Sequence, residues 1–212
     1  MVKFIIVRHG LSVTNKAKTF TGQMDVPLDE AGEGQAQDVS RYIAENYIVD
    51  SIYSSDLCRA VNTIKPLADL LGMEIKTMPE LREVDVGSWS GMLIEDVKTK
   101  HKKEFESYRE NPGVFCFPDG EKYINVTKRA KFAFDKIAKE NDGKTVVVAT
   151  HGGIVRTMRA VWTGKSYEEM RDIPHVQNAS VTVALYDDGN VSFEKIGYCD
   201  YLIDKVTELG VN

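Results

Sequence analysis

Short apolar runs alternate with longer segments of helical period along this chain, and this alternation constrains the fold more than any other feature. The runs 4–7 and 146–149 are continuously apolar, as strands buried on both faces of a parallel sheet are. Segments 36–47, 57–71 and 126–137 carry apolar residues at helical spacing. The pattern predicts an α/β fold, a three-layer α/β/α sandwich around a mostly parallel central sheet.

The last quarter of the chain departs from this alternation. Residues 180–186 and 191–196 have strand-like composition and are joined by an Asp-Asp-Gly-Asn segment, which predicts an antiparallel hairpin. No repeat and no Pro- or Ser-rich linker interrupts the chain. We therefore expect one domain, 1–212.

Composition excludes several classes of function. Lys and Arg number 27 against 32 Asp and Glu, for a net charge of −5, so we expect no nucleic-acid partner. The apolar runs are too short to cross a bilayer and the N-terminus has no signal-peptide pattern, so we expect no membrane association. Cys58, Cys116 and Cys199 are widely spaced without a CxxC pair. That spacing predicts neither a disulfide framework nor a metal site and favours the cytoplasm.

Two of the four histidines stand in the same unusual context. His9 and His151 each follow the end of a predicted buried strand, and each is followed by glycine. Ligands of open α/β sheets bind at the carboxyl ends of the strands, so both imidazoles are expected to face one crevice. Either histidine alone would be explained equally well as a buried ring bonded to backbone; the matched pair argues against that explanation.

The neighbours of these histidines favour an anionic ligand. Arg8 precedes His9, and Arg59 lies one turn into the helix that follows the strand at 51–54. Planar guanidinium groups bind phosphoryl oxygens in pairs. A helix beginning near Gly153 would direct its free N–H groups at the same anion.

These residues belong to an ordered set that resembles the histidine phosphatase (phosphoglycerate-mutase-like) superfamily. The set extends over about 150 residues, from 7 to 156. It comprises Arg8-His9-Gly10, Asn15, Phe20-Thr21-Gly22, Asp25, Pro27-Leu28, Gly32, Gln35-Ala36, Ser54-Ser55-Asp56-Leu57, Arg59-Ala60, Thr63, Leu81, Glu83, Gly87, Trp89, Gly91, Pro118, Gly120-Glu121 and His151-Gly152-Gly153. Leu11, Ser90 and Lys122 depart from residues common in the family, which affects the expected substrate rather than the chemistry.

The resemblance implies a phosphomonoesterase whose nucleophile, His9, becomes phosphorylated on a ring nitrogen. Arg8, Arg59 and His151 would hold the phosphoryl group, and Glu83 would donate a proton to the leaving oxygen. The implied substrate-binding residues are Asn15, Thr21, Gly22 and Gly152. The scheme needs no metal and no cofactor, and its partner is a small phosphorylated metabolite.

Two other activities remain open at this stage. Mutases of the family return the phosphoryl group to a second hydroxyl, but they are longer between the proton donor and the second histidine. They also usually carry Asn where this chain has Gly153, so hydrolysis is favoured over mutase activity. A binding protein without turnover would be expected to lack at least one pocket residue, and all are present.

Two structural expectations follow from the less regular parts of the sequence. Residues 88–120 are rich in aromatic side chains and weakly periodic, and we interpret them as a variable insert that covers the substrate. If some of these aromatic rings line the cleft, they imply a leaving group with an apolar or bulky part. The hairpin at 180–196 has an edge at which a homodimer could form.

Overall fold

A six-stranded mixed sheet forms the centre of the protein, in a computed structural model that describes residues 1–203. The strands are β1 (Val2–Arg8), β2 (Ser51–Ser54), β3 (Ile75–Thr77), β4 (Thr145–Thr150), β5 (Val181–Asp187) and β6 (Asn190–Tyr198). Their order is β3-β2-β4-β1-β5-β6. The first four in that order are parallel, and β5 and β6 are antiparallel. The mostly parallel sheet with a late hairpin is confirmed; residues 204–212 of the expected domain lie outside the described residues.

Helices cover both faces of this sheet. They are α1 (Val13–Lys16), α2 (Glu30–Asn46), α3 (Cys58–Leu71), α4 (Ile94–Lys100), α5 (Lys102–Glu110), α6 (Tyr123–Glu140) and α7 (Gly152–Trp162), with 3₁₀ turns at Pro79–Leu81, Gly87–Trp89 and Glu168–Asp172. Helices α2 and α3 pack on one face, and α6 and α7 pack on the other. The three-layer arrangement is therefore confirmed. Within residues 1–203, no helix combines the length and the apolar character needed to cross a membrane.

The position of β1 between two helical layers explains why its sequence is continuously apolar. Phe4 and Ile6 pack into the core beneath α6 and α7, whereas Ile5 and Val7 pack into the core beneath α2 and α3. None of the four side chains is more than 2% exposed. Because successive side chains of a strand point to opposite faces, a strand between two helical layers must be apolar at every position.

The hairpin is closed by a two-residue turn. Asp188 and Gly189 have φ values of 47° and 88°, the left-handed conformation that type I′ turns require at both positions. Strand β6 pairs on one side with β5 and forms the outer edge of the sheet.

The first turn of α2 packs directly on the loop that follows β1. Asp29 caps this helix by accepting a hydrogen bond from Gly32 N at 2.8 Å, and its own N–H donates to Leu11 O at 3.0 Å. A Cβ atom at Gly32 would lie 2.0 Å from Leu11 O. The loop carrying His9 and Gly10 is therefore seated on a helix end that only glycine allows to approach so closely.

We expect Gly32→Ala to destabilise the protein and Gly34→Ala, in the same helical turn, to stabilise it. The first change forces Cβ against backbone and should lower the free energy of unfolding by about 1–3 kcal/mol or more. At Gly34 an added Cβ meets no atom within 4 Å, so the helix propensity of alanine should raise that free energy by about 0.5–1 kcal/mol. Urea unfolding of the two variants measures both values. Equal stability of the two variants would contradict the close approach.

Candidate active site

The predicted site residues come together at the carboxyl edge of the sheet. Strands β1 and β4 are parallel neighbours in which Arg8 pairs with Thr150. His9 and His151 therefore leave the sheet side by side, and their ring centroids lie 5.1 Å apart. Arg59 reaches the same edge from the first turn of α3, which follows β2.

His9 is buried and oriented as a nucleophile. The residue is only 4% exposed, and its ring atom Nδ1 donates a hydrogen bond to Gly10 O at 2.7 Å. A carbonyl oxygen can only accept, so the ring proton lies on Nδ1 and the Nε2 lone pair is left available. Burial, with the charges of Arg59 and Arg8 adding to it, holds the pKa of His9 well below 6.5. The ring is neutral at physiological pH.

Two buried guanidinium groups lie beside this ring. Arg8 donates through Nη1 to Val176 O at 2.5 Å. Arg59 donates through Nη1 to Met24 O at 2.7 Å and through Nη2 to Gly22 O at 2.8 Å. Burial lowers the pKa of both, that of Arg8 to about 10, so both keep their charge at neutral pH. Carbonyl oxygens orient Arg59 without neutralising it, which leaves its charge available to an anion.

Arg59 has one hydrogen-bond donor left over for a ligand. Its Nε is buried and has no hydrogen-bond partner among residues 1–203, and the side chain forms no ion pair within that range. A buried, uncompensated donor of this kind is costly unless a ligand completes it.

His151 is fully buried and does not itself line the cavity in front of His9. Its Nε2 lies 2.9 Å from Ser55 Oγ, which accepts a hydrogen bond from Leu57 N. Nε2 and the Ser55 hydroxyl share one hydrogen bond, and His151 Nδ1 has no hydrogen-bond partner in the described chain. Burial, Arg59 and His9 lower the pKa of His151 well below 6.5, so this second ring is also neutral.

The four predicted substrate-binding residues all line one cavity together with His9. They are Asn15, Thr21, Gly22 and Gly152. Asn15 Oδ1 accepts hydrogen bonds from Ser12 Oγ at 2.8 Å and from Ser12 N at 3.2 Å, which leaves the amide N–H groups of Asn15 to face a ligand. A Cβ at Gly152 would lie 3.2 Å from Arg8 Nε, so glycine here gives the guanidinium its room.

Glu83 lines the same cavity from a separate segment. Its Oε1 accepts from Val84 N at 2.9 Å, and its Oε2 accepts from Gly153 N at 3.1 Å. The second of these bonds places the carboxyl group at the N-terminus of α7, where the helix dipole favours negative charge. A Cβ at Gly153 would lie 2.2 Å from Glu83 Oε1, so the glycine makes this contact possible.

Arg129 of α6 holds the segment that carries Glu83, a role that no sequence pattern indicated. It donates to the carbonyl oxygens of Glu80 at 2.9 Å, Arg82 at 2.5 Å and Glu83 at 2.8 Å. The same guanidinium bonds both carboxylate oxygens of Glu121, at 2.9 and 2.8 Å. In the sequence, Arg129 is one of many cationic residues on an amphipathic helix. Glu121 belongs to the Gly120-Glu121 match to the family, which does not indicate its bond to Arg129.

The far wall of the cavity is apolar and aromatic, with one histidine. It is formed by Phe20, Val84, Val86, Tyr108, Phe117, Tyr123 and His175. Of the aromatic residues in 88–120, Tyr108 and Phe117 line the cavity, whereas Trp89 and Phe105 are buried in the core. His175, whose pKa is lowered to about 3 by burial and by Arg156 and Arg8, was not identified from the sequence.

The family model of the histidine phosphatase superfamily (branch 1) matches residues 4–198, a range that contains every residue of this site. The chain belongs to that superfamily. Phosphoserine phosphatase 1 of Hydrogenobacter thermophilus is 34% identical over 164 residues, covering 77% of each chain. Phosphoglycerate mutase-like protein 4 of Arabidopsis thaliana is 28% identical over 190 residues, covering 89% of this chain and 81% of the relative.

A solved structure has a fold similar to that of this chain. YhfR of Bacillus stearothermophilus superimposes with a TM-score of 0.90 over 95% of this chain and 100% of its own, at 24% sequence identity. The two proteins therefore share one fold over nearly their full lengths.

We expect the protein to lose stability as pH falls below about 6.5, in part through His175. An unfolded histidine binds a proton near that pH, whereas the folded ring resists protonation down to about 3, so acid favours the unfolded state. As the pH falls from 6.5 to 4.5, the free energy of unfolding of the His175→Gln variant should decrease less than that of the wild type, by up to about 1.4 kcal/mol per pH unit. Urea unfolding of both proteins across this range measures the difference. Parallel stability curves would rule out the proposed contribution.

Proposed function

We propose that this protein is a phosphomonoesterase that hydrolyses a small phosphorylated metabolite through a phosphohistidine intermediate on His9. The observation that carries the proposal is the neutral imidazole of His9, with Nε2 available, beside the buried cations of Arg8 and Arg59. Phosphoryl transfer depends mainly on positioning and on stabilising charge over the phosphoryl oxygens. Arg8 and Arg59 supply that charge with Asn15 as a further donor, and the neutral ring of His151 packs against His9 from the neighbouring strand end, so the scheme requires no metal.

In the first step, His9 Nε2 attacks phosphorus as the bond from phosphorus to the leaving oxygen breaks. Glu83, in its protonated form, gives its proton to that oxygen, so the product leaves as a neutral alcohol. In the second step, water attacks the phosphohistidine while the Glu83 carboxylate takes a proton from it. Phosphate leaves, and both His9 and Glu83 return to their starting states. The N–H groups of Val84 and Gly153 hold the carboxylate between the two steps.

The similarity to a relative named phosphoserine phosphatase supports hydrolysis. The alternative is a mutase-type phosphoryl transfer, because another relative is named phosphoglycerate mutase-like protein 4. Hydrolysis releases inorganic phosphate from a monoester alone, whereas a strict mutase would convert one phosphorylated isomer into another without net release.

We further propose that residues 88–120 form a cover for the substrate. In support of this, Tyr108 and Phe117 from this segment reach the cavity wall. Helices α4 and α5 carry the outer surface of the segment, where exposed charges predominate. Tyr108 and Phe117 complete an apolar cavity wall, which suits a leaving group with an apolar part.

We expect phosphate release from phenyl phosphate to persist in excess EDTA and to fall by at least about 10³-fold in His9→Ala. A burst of acid-labile phosphoprotein should accompany turnover in the wild type and be absent from the variant. His101→Ala, a histidine between α4 and α5, is the matched control and should retain activity. Activity that survives in His9→Ala would show that another group is the nucleophile.

We expect the cost of Glu83→Gln to depend on the leaving group. A phenoxide with a nitro substituent leaves without a proton, whereas an alkoxide needs one. The variant should therefore lose about 10²–10⁴-fold in kcat on an alkyl phosphate and much less on 4-nitrophenyl phosphate. Steady-state kinetics on the two esters measures the ratio. An equal loss on both would assign Glu83 to binding rather than to proton transfer.

A further inference from the structure

Asn178 is a buried side chain that the proposed mechanism does not use. It lies in the turn before β5 and does not line the cavity in front of His9. Its amide nitrogen Nδ2 donates to His9 O at 3.0 Å and to Gly10 O at 3.3 Å, and it lies 3.4 Å from Asn15 Oδ1. All three partners are acceptors, since Asn15 Oδ1 already accepts from Ser12 N. This pattern identifies the bonding atom of Asn178 as its amide nitrogen.

The carbonyl oxygen of Gly10 is the atom that sets the tautomer of His9. It accepts the Nδ1 proton of the ring at 2.7 Å, and Asn178 bonds the same oxygen. A carbonyl oxygen has two lone pairs, so it serves both donors at once. Without the second donor, the peptide group can turn, and the ring proton is no longer held on Nδ1. The lone pair that attacks phosphorus depends on that proton staying in place.

The two peptide groups that follow the nucleophile are each held at both ends. Gly10 N donates to Thr63 Oγ1 at 2.8 Å, and Leu11 N donates to Gln35 Oε1 at 2.9 Å. The carbonyl oxygens of the same two peptide groups are the ones that Asn178 bonds. One side chain therefore fixes the oxygen end of both groups.

Two unfavourable features of this turn indicate that its position serves the site. Asn178 Oδ1 is buried with no hydrogen-bond partner among residues 1–203, and a buried acceptor without a donor costs free energy. Ala179 has a φ of 51°, a left-handed conformation that alanine rarely adopts. Its N–H donates to His9 O at 3.1 Å, so both residues direct a donor at the same carbonyl oxygen. Backbone strain of this kind concentrates at functional sites.

Asn141 shows how a buried asparagine with a structural role is bonded in this protein. It is 3% exposed, and its amide nitrogen donates to Ile137 O at 2.8 Å and to the Tyr53 hydroxyl at 3.2 Å. Its Oδ1 accepts from Ser51 Oγ at 2.9 Å, so both ends of the amide are satisfied. Asn141 precedes β4 and lies at the edge of the sheet opposite the site. It therefore matches Asn178 in burial but not in location.

We propose that Asn178 is a positioning residue for the nucleophile, which holds the carbonyl oxygens of His9 and Gly10 and thereby fixes the Nδ1-protonated tautomer of His9. The inference rests on the proposed function. When Nε2 bonds to phosphorus, the ring becomes cationic and its Nδ1–H donates more strongly to Gly10 O. A carbonyl oriented before the reaction stabilises this charge without reorganising. Asn178 thus acts on the rate of phosphoryl transfer to His9 rather than on binding of the ester.

The first test replaces the amide by an apolar side chain of similar size, in Asn178→Leu. We expect the rate of phosphoprotein formation from phenyl phosphate, measured by rapid quenching, to fall by about 10–10²-fold, as misplaced reacting groups do. The dependence of that rate on ester concentration gives the dissociation constant of the ester, which should change by less than about 3-fold. The loss should be the same on 4-nitrophenyl phosphate, because Asn178 does not serve the leaving group.

The matched control is Asn141→Leu, which should lower the free energy of unfolding in urea and leave the rate of phosphoprotein formation unchanged. If Asn178→Leu does not fold, Asn178→Ser takes its place, since its hydroxyl ends one bond short of the amide nitrogen. A rate within about 3-fold of the wild type in the folded Asn178 variant would overturn the positioning role. So would a loss carried entirely by the dissociation constant, which would assign Asn178 to substrate binding.

The second test observes the tautomer without turnover, by ¹⁵N NMR of the histidine side chains. The signals of His9 are identified by their absence from His9→Ala. We expect Nδ1 to be protonated and Nε2 unprotonated in the wild type and in Asn141→Leu. In the Asn178 variant, the Nε2-protonated tautomer should become populated; wild-type signals there would overturn the proposal. Absence of phosphoprotein in the wild type would count against the phosphohistidine mechanism, and this comparison would still decide the role of Asn178.

Discussion

The parallel pairing of β1 with β4 is the contact on which the rest of the site depends. It joins segments about 140 residues apart in sequence, and its register, Arg8 opposite Thr150, decides that two histidines leave the sheet together. A slip of one residue would turn every side chain of one strand to the other face and separate the rings. The apolar alternation that fills both cores enforces this register, so the packing of the interior and the alignment of the reacting groups have the same cause.

Burial of positive charge is the second constraint, and it explains much of the local architecture. Arg8 and Arg59 are nearly inaccessible, and carbonyl oxygens from two segments, one holding Gly22 and Met24 and the other Val176, accept their hydrogen bonds. Had a carboxylate bonded Arg59, that cation would be more stable but would offer less to a phosphoryl group. The site therefore keeps a buried guanidinium without an ion-pair partner among residues 1–203, and a dianionic ligand can compensate its charge on binding. Burial lowers the pKa of His9, and the charges of Arg59 and Arg8 add to that effect, so its imidazole stays neutral.

The sequence predicted the layers of the fold and the edge of the sheet at which the site lies, because those features are encoded by local periodicity and by residues adjacent to strand ends. His9 and His151 were found through that context, and the resemblance to a family added Glu83, which an acidic stretch would otherwise have hidden. Arg129, Tyr123 and His175 were not identified because each reaches the site from an element whose own pattern is ordinary. Their significance lies in what they meet across the fold, which a single sequence does not display.

The five hydrogen bonds of Arg129 make α6 one of the anchors of the segment that carries Glu83. The guanidinium bonds the carbonyl oxygens of Glu80, Arg82 and Glu83, while Thr150 of β4 bonds the carbonyl oxygen of Leu81. The proton donor is therefore tied both to the outer helical layer and to the strand end that precedes His151. A change at Arg129 would alter the position of the proton donor without replacing any group that holds the phosphoryl oxygens.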